Sequence, residues 1–225
     1  MKRSKRYRNN EAKLEEIKDV SQALDFLLAM NKVKFDETLE VHVNLNIDPK
    51  KSEQNFKFSL NLPHGTGKKV KVAVFAEGTK AKEAEASGAD VILGEADIER
   101  IKNKKRKLDF DIVIADPSMM PKLAKIAKIL GPKGLMPSPK NNTVTKEIKD
   151  TVELLKKGMV TVKNDPTGVI HQALGKFSFG KKKLLENYKD FIEKLEKNRP
   201  QKVKGKMIKR LYLTSTMGPS IKIKD

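Results

Sequence analysis

The sequence has no cysteine and no tryptophan, and only 5% of its 225 residues are aromatic. Without cysteine there are neither disulfides nor thiolate metal ligands. The three histidines, His42, His64 and His171, stand far apart with no metal-ligand spacing between any two, so zinc chemistry is not expected. Scarce aromatics also mean that stacking bases on aromatic platforms is not the main binding mode expected of this chain. No apolar run approaches the roughly 20 residues needed to span a bilayer. The N-terminus is charged and lacks the apolar stretch of a signal peptide. The expectation is therefore a protein without a membrane partner, resident in the cytoplasm.

What the chain has in excess is positive charge. Lys and Arg number 48 against 29 Asp and Glu, a formal net charge of +19. Such a balance says little about fold but favours a polyanionic partner. With few aromatics, phosphate contacts and recognition of RNA shape fit best.

Residues 1–10 carry five basic groups and no acid, as either a solvated tail or an arm that orders on RNA would. Leu14, Ile17, Ala23, Leu24, Leu27 and Leu28 recur at helical intervals, which predicts a helix over about Glu11 to Met30. Then Leu39, Val41, Val43, Leu45 and Ile47 alternate with Thr38, Glu40, His42, Asn44 and Asn46. That is a strand with one face on a core and one face free. Asp48-Pro49 stops it, and Phe56 to Leu62 reads as a second strand able to pair with it.

After the loop Pro63 to Gly67 the pattern changes to short apolar strands alternating with helices. Strands are predicted at Val70–Ala76, Val91–Leu93 and Ile112–Ala115. Helices are predicted at Thr79–Ser87, Asp97–Lys102, Ser118–Leu130 (with Ser118 as N-cap) and Val144–Lys157. From Gly158 onward the earlier style returns. Strands are expected at Met159–Lys163, Val169–Leu174, Lys176–Phe179 and Met207–Thr214, the last extended by Ile221–Ile223. A helix is expected over Lys181–Lys197. The N-terminal strand pair is too small to fold alone. The simplest organisation is a discontinuous α+β domain, residues 1–67 and 158–225, with an α/β domain of residues 68–157 inserted. Residues 68–156 hold 19 basic and 13 acidic groups, a net of +6, which leaves +13 on the terminal segments. The outer domain is thus the stronger candidate for an RNA surface.

Enzymatic motifs fail on inspection. Gly65-Thr66-Gly67-Lys68 resembles a phosphate loop, but Lys69 stands where Ser or Thr is required and the glycine spacing is wrong. No Gly-x-Gly-x-x-Gly turn follows the first inserted strand. Asp109, Asp111 and Asp116 read as strand-edge and turn residues. The run Lys102 to Lys107 reads as a solvated loop or a secondary phosphate contact. Lys181-Lys182-Lys183 opens a helix against its dipole, a hint of a compensating anion. Two stretches are more informative, Gly131–Lys140 and Thr214–Ser220. The second combines small hydroxyls, a glycine and a flexible thioether, a surface able to pack against ribose and a minor groove.

These stretches, with Ser4-Lys5-Arg6-Tyr7-Arg8, Lys34-Phe35-Asp36-Glu37-Thr38, Ile47-Asp48-Pro49-Lys50-Lys51-Ser52, Leu62 to Lys68, Leu130 to Pro137, Gly175-Lys176 and Thr216-Met217-Gly218-Pro219-Ser220, make the chain resemble the ribosomal protein L-one family of the large-subunit lateral stalk. The likeness covers nearly the whole length. It implies a split α+β RNA-binding domain carrying an inserted three-layer, Rossmann-like α/β domain, no catalysis and no cofactor. The partners it implies are large-subunit rRNA, the exit-site tRNA whose release the stalk assists, other parts of the ribosome, and the protein's own mRNA leader, which it represses. By motif the rRNA-binding residues would be Lys34, Phe35, Thr38, Glu40, His171, Lys176, Thr214, Thr216, Met217 and Gly218. Secondary RNA contacts would come from Lys5, Arg6, Arg8, Lys133 and Lys140. Lys133 stands where the family often has Arg, and loses the bidentate fork; Ser138-Pro139 stands where Asn-Pro is usual, and residues 55–61 are atypical. The ribosome expected is that of a bacterial cytoplasm, an organellar ribosome being the alternative. Two rival readings accompany this one. A free repressor acting mainly on messenger RNA would use the same surface. A nucleotide enzyme would use the inserted unit, and would show saturable nucleotide binding there.

Overall fold

Leu39, Val41, Val43 and Leu45 are buried to within 2% while Thr38, Glu40, His42 and Asn44 keep partial exposure, so β1 (Thr38–Leu45) has the two faces that its alternation predicts. In the computed structural model that carries this strand, residues 4–12, 14, 17, 19–30, 33–103, 108–139, 142–200, 203 and 205–223 are described. The expectations at Lys140 and for most of the basic run 102–107 lie outside them. The described residues form two compact units, one of residues 1–67 with 160–225 and one of residues 68–159.

The first unit is built on an antiparallel sheet in the order β7 (Val169–Lys176), β1, β8 (Ile208–Ser215), β9 (Ile221–Ile223). One face is covered by α2 (Val20–Ala29) and α8 (Gly180–Lys197), whose apolar stripes meet the β1 leucines and valines in one core. A separate ladder joins β2 (Lys57–Asn61) to β6 (Met159–Lys163). β2 therefore does not pair with β1 as the sequence led us to expect, because both edges of β1 are taken by longer partners. The predicted helix over 11–30 is also shorter. Asp19 accepts a hydrogen bond from Ser21 N–H at 3.1 Å and caps a helix that starts only at Val20. Ahead of it, Lys5–Glu11 is itself a helix (α1) capped by Ser4, so the basic N-terminal segment is ordered over those residues. At the start of α8, Lys181 meets the carboxylate of Asp25 at 2.6 Å, which supplies the anion that its place on the helix dipole called for.

The second unit has a parallel sheet, β4 (Val91–Leu93), β3 (Val72–Phe75), β5 (Ile112–Ala115). Ala73 and Phe75 face a core with α4 (Glu95–Lys102) and the 119–130 segment. Val72 and Val74 face a second core with α3 (Thr79–Ala86) and α7 (Ile148–Lys156). Both sheet faces are covered, giving three layers. The helix predicted from Ser118 is instead broken: a 3-10 turn at Pro117–Met119 leads into Met120–Leu123 (α5), and a second at Ala124–Ile126 separates that from Ala127–Leu130 (α6). Its cap is Asp116, which accepts from Ser118 N–H at 3.1 Å. Val144 bridges to Ala115, so α7 begins only at Ile148.

Candidate nucleic-acid interface

The sheet face opposite the helices of the first unit is assembled by cross-strand pairing, since directly paired residues share a face. One row runs His171, His42, Tyr212, Lys222; the next runs Ala173, Glu40, Thr214; a third runs Val169, Asn44, Arg210. Arg210 and Lys222 are exposed, and Glu40 is the one carboxylate among these paired residues. Arg210, Tyr212 and Lys222 were absent from the sequence-based set. The alternation of Leu211 and Leu213 with Tyr212 and Thr214 was the signal that pointed to them.

At the end of this face the chain changes direction twice. Thr38 pairs with Lys176 and Leu39 with Gly175, but Glu40 pairs with Ala173, so a bulge falls at Leu174–Gly175. A Cβ on Gly175 would lie 3.0 Å from both Leu184 and Phe179, so the packed helix α8 requires glycine there. The extra residue turns Lys176 onto the open face. Its ammonium donates to Thr38 Oγ1 at 2.9 Å and to Asp36 O at 3.2 Å. Two strands were expected here, Val169–Leu174 and Lys176–Phe179; there is one bulged strand ending at Lys176, and Phe177–Phe179 is a 3-10 turn.

Across from it, Thr216 N–H donates to Thr38 O at 3.2 Å, and Thr38 N–H donates to Thr216 Oγ1 at 3.0 Å. Glu37, 5% exposed, accepts from Met217 N–H at 2.9 Å and from Ser215 Oγ at 3.1 Å. This acid was not singled out in the sequence, where nothing distinguishes it from an exposed glutamate. Gly218 N–H closes the turn on Ser215 O at 3.2 Å. A Cβ there would overlap Ser215 Oγ and come within 2.9 Å of Met30 Cε. Arg6 donates to Met217 O at 2.7 Å, so it holds the turn from α1. Met217, on this tied backbone, and Phe35 are each 53% exposed, two large apolar side chains presented to solvent.

The structure thus gathers Phe35, Thr38, Glu40, Lys176, Thr214, Thr216, Met217 and Gly218 at one end of an open sheet. Lys34, exposed, adjoins Phe35 in sequence, and Lys5 and Arg8 are exposed on α1. His171 lies on the same face further along β7. Lys133, exposed in a turn, belongs to the second unit.

The two histidines form a pair, with Nδ1 atoms 2.7 Å apart, so one ring donates and the other accepts. Burial and then the His171 ring hold the His42 imidazole below its ordinary range, against the pull of Glu40. Asp165, near His171 Nε2 at 3.6 Å, is raised by burial but lowered more by hydrogen bonds from Val169, Thr167 and His171, ending at about 2. Among the described residues no cluster of three His, Asp or Glu is placed to hold a metal ion, and no helix is long and apolar enough to cross a membrane.

Comparison with known proteins places this geometry in context. The family described as Ribosomal protein L1p/L10e family matches residues 27–219. The large ribosomal subunit protein uL1 of Thermosipho africanus is 46% identical over 224 residues, covering 99% of this chain and 96% of that protein. The protein of the same name from Persephonella marina is 46% identical over 212 residues (93% and 87%), and that of Kosmotoga olearia 43% over 224 residues (99% and 96%).

Proposed function

The chain belongs to the ribosomal protein L1p/L10e family, whose members are ribosomal components and not enzymes, and from that premise we propose that it is a structural constituent of the large ribosomal subunit in the bacterial cytoplasm. On this reading residues 1–67 and 158–225 are its RNA-binding domain and the ligand is large-subunit rRNA at the lateral stalk. The observation that carries it is the exposure of Phe35 and Met217 on a rigid backbone at the edge of an open, cation-bearing sheet face. An apolar side chain held in water by a buried acid, as Met217 is by Glu37, beside a second exposed one is what a contact surface needs. Lys176, Arg210 and Lys222 supply attraction to phosphates. Thr214, Thr216 and Gly218 allow close approach to ribose and a minor groove.

The finer roles in this proposal are assistance to release of deacylated tRNA from the exit site and repression of the protein's own mRNA through the same surface. The test is sedimentation: the chain should travel with the large subunit and protect one defined RNA segment. A chain that stays at the top of the gradient under all salt conditions would defeat the reading. Affinities for the ribosomal segment and for the messenger leader, compared at matched salt, then separate the constituent from the free repressor.

A further inference from the structure

Beyond His171, where the open face ends, the first unit holds a cleft of about 680 Å³. One wall is the 48–57 segment, pinned where Asp48 N–H donates to Gln54 Oε1 at 2.7 Å and Lys50 N–H to Asp48 Oδ1 at 3.2 Å. The other is the 163–168 turn. There Asp165 accepts from Thr167 N–H at 2.9 Å and Val169 N–H at 2.8 Å. Asn164 ties the walls together by accepting from Phe56 N–H at 2.6 Å. Gly168, whose φ is +82°, leaves room for only an ordinary contact with Pro49, 3.5 Å from where a Cβ would stand, so the two walls lie close together. Neither wall needs to be ordered by a ligand.

The lining is chemically divided. Pro49 and Pro166 give apolar surface, and His171 adds an imidazole. Lys57 and Lys163, on the neighbouring strands β2 and β6, are exposed and line the cleft. Asp165, the one acid in the lining, already satisfies its own turn and faces His171. A cleft with two exposed ammonium groups in its lining, apolar proline walls and this volume is the size and character of a small-ligand site. His171 belongs both to the cleft and to the row His171–His42–Tyr212 on the open face, so a strand of RNA lying on that face has the cleft as its next stop along β7.

The geometry points to a nucleotide subsite: the cleft between Pro49 and Pro166 takes one unpaired nucleotide of the bound RNA, with its phosphate between Lys57 and Lys163 and its base between the prolines and His171. This inference rests on the reading of the open face as an RNA surface. It adds a site for an unstacked base, the form in which RNA displays its edges to proteins.

The test uses the full chain, ¹⁵N-labelled and titrated with tetrauridylate. The amides of Phe56, Lys57, Asn164, Thr167 and His171 should shift together and saturably. The pair Lys57→Ala with Lys163→Ala should abolish those shifts and weaken large-subunit RNA binding on the order of tenfold, more than the charge-matched pair Lys82→Ala with Lys149→Ala in the second unit. Unchanged circular dichroism checks that each pair folds. Absence of cleft shifts with tetrauridylate overturns the subsite even if the chain binds large-subunit RNA. Equal shifts with hexaglutamate overturn it in favour of an acidic peptide. Equal losses from the two lysine pairs reduce it to general electrostatics. Failure to bind large-subunit RNA while the cleft amides still shift would count against the larger reading alone.

Discussion

Glu37 accepts a hydrogen bond from the backbone N–H of Met217 at 2.9 Å, so a buried acid at the end of the sheet fixes a methionine whose side chain is exposed. The same carboxylate accepts from Ser215 Oγ. If this end of the sheet meets RNA as proposed, position 37 acts on recognition without meeting the ligand.

Replacing Glu37 with Ala leaves Ser215 Oγ and Met217 N–H without their partner in a buried setting. We expect a stability loss of about 2 kcal/mol and, because the turn is released, an RNA affinity lower by roughly an order of magnitude. Glu37→Gln retains an acceptor and should lose less of both. Denaturant titration and filter binding on the same preparations check the two effects together.

Thr216→Val removes the acceptor of Thr38 N–H and should weaken RNA binding. Met217→Asp puts a like charge against phosphate and should weaken it further. Each should cost more affinity than neutralising Lys104 and Lys105 together. If the basic run mattered more, the main surface would lie elsewhere.

Gly218→Ala adds a methyl where Ser215 Oγ and Met30 Cε already stand. The side chains shift, the Ser215–Glu37 bond is strained, and about 1 kcal/mol of stability is lost. RNA affinity should fall with it. A variant with unchanged melting and unchanged affinity would show that the close packing at this turn is slack.

His42 gives a pH dependence. Its imidazole is held below the ordinary value in the folded chain, so the unfolded chain binds the proton more readily. Stability should rise with pH up to about 6.5 and decline below it. The groups facing the ring are Glu40, His171, Tyr212, Arg210 and Lys222 on the sheet, with Asp165 beyond His171. Of these, His171 opposes protonation and Glu40 favours it. In His42→Asn the drop in melting temperature between about pH 7 and about pH 5 should be smaller. An identical drop in both proteins would remove His42 from the account.

Much of this architecture was readable. Period-two burial announced β1, and the apolar runs Val72–Phe75 and Ile112–Ala115 announced a covered parallel sheet. What escaped was set by tertiary competition. β2 lost β1 to longer partners, Asp19 and Asp116 took caps that periodicity alone had blurred, and the Gly175 bulge looked like a strand end. At the candidate site Phe35 and the 216–218 turn stood out through resemblance to a family. Glu37, though part of the same motif as Phe35, was not among the expected site residues, because burial of an acid is decided by the packing around it. Arg210 and Lys222 were missed although alternation along β8 and β9 places them, since charge was weighed by segment and not by face.

On the proposed function, charge attracts the RNA and the uncharged patch recognises it. Affinity for the large-subunit segment, measured for the natural chain and for Thr216→Val across a salt series, tests this most directly. We predict two parallel lines of log affinity against log salt, the variant displaced to weaker binding, because no phosphate-neutralising group has been removed. Coincident lines, or a variant line of altered slope, would contradict it.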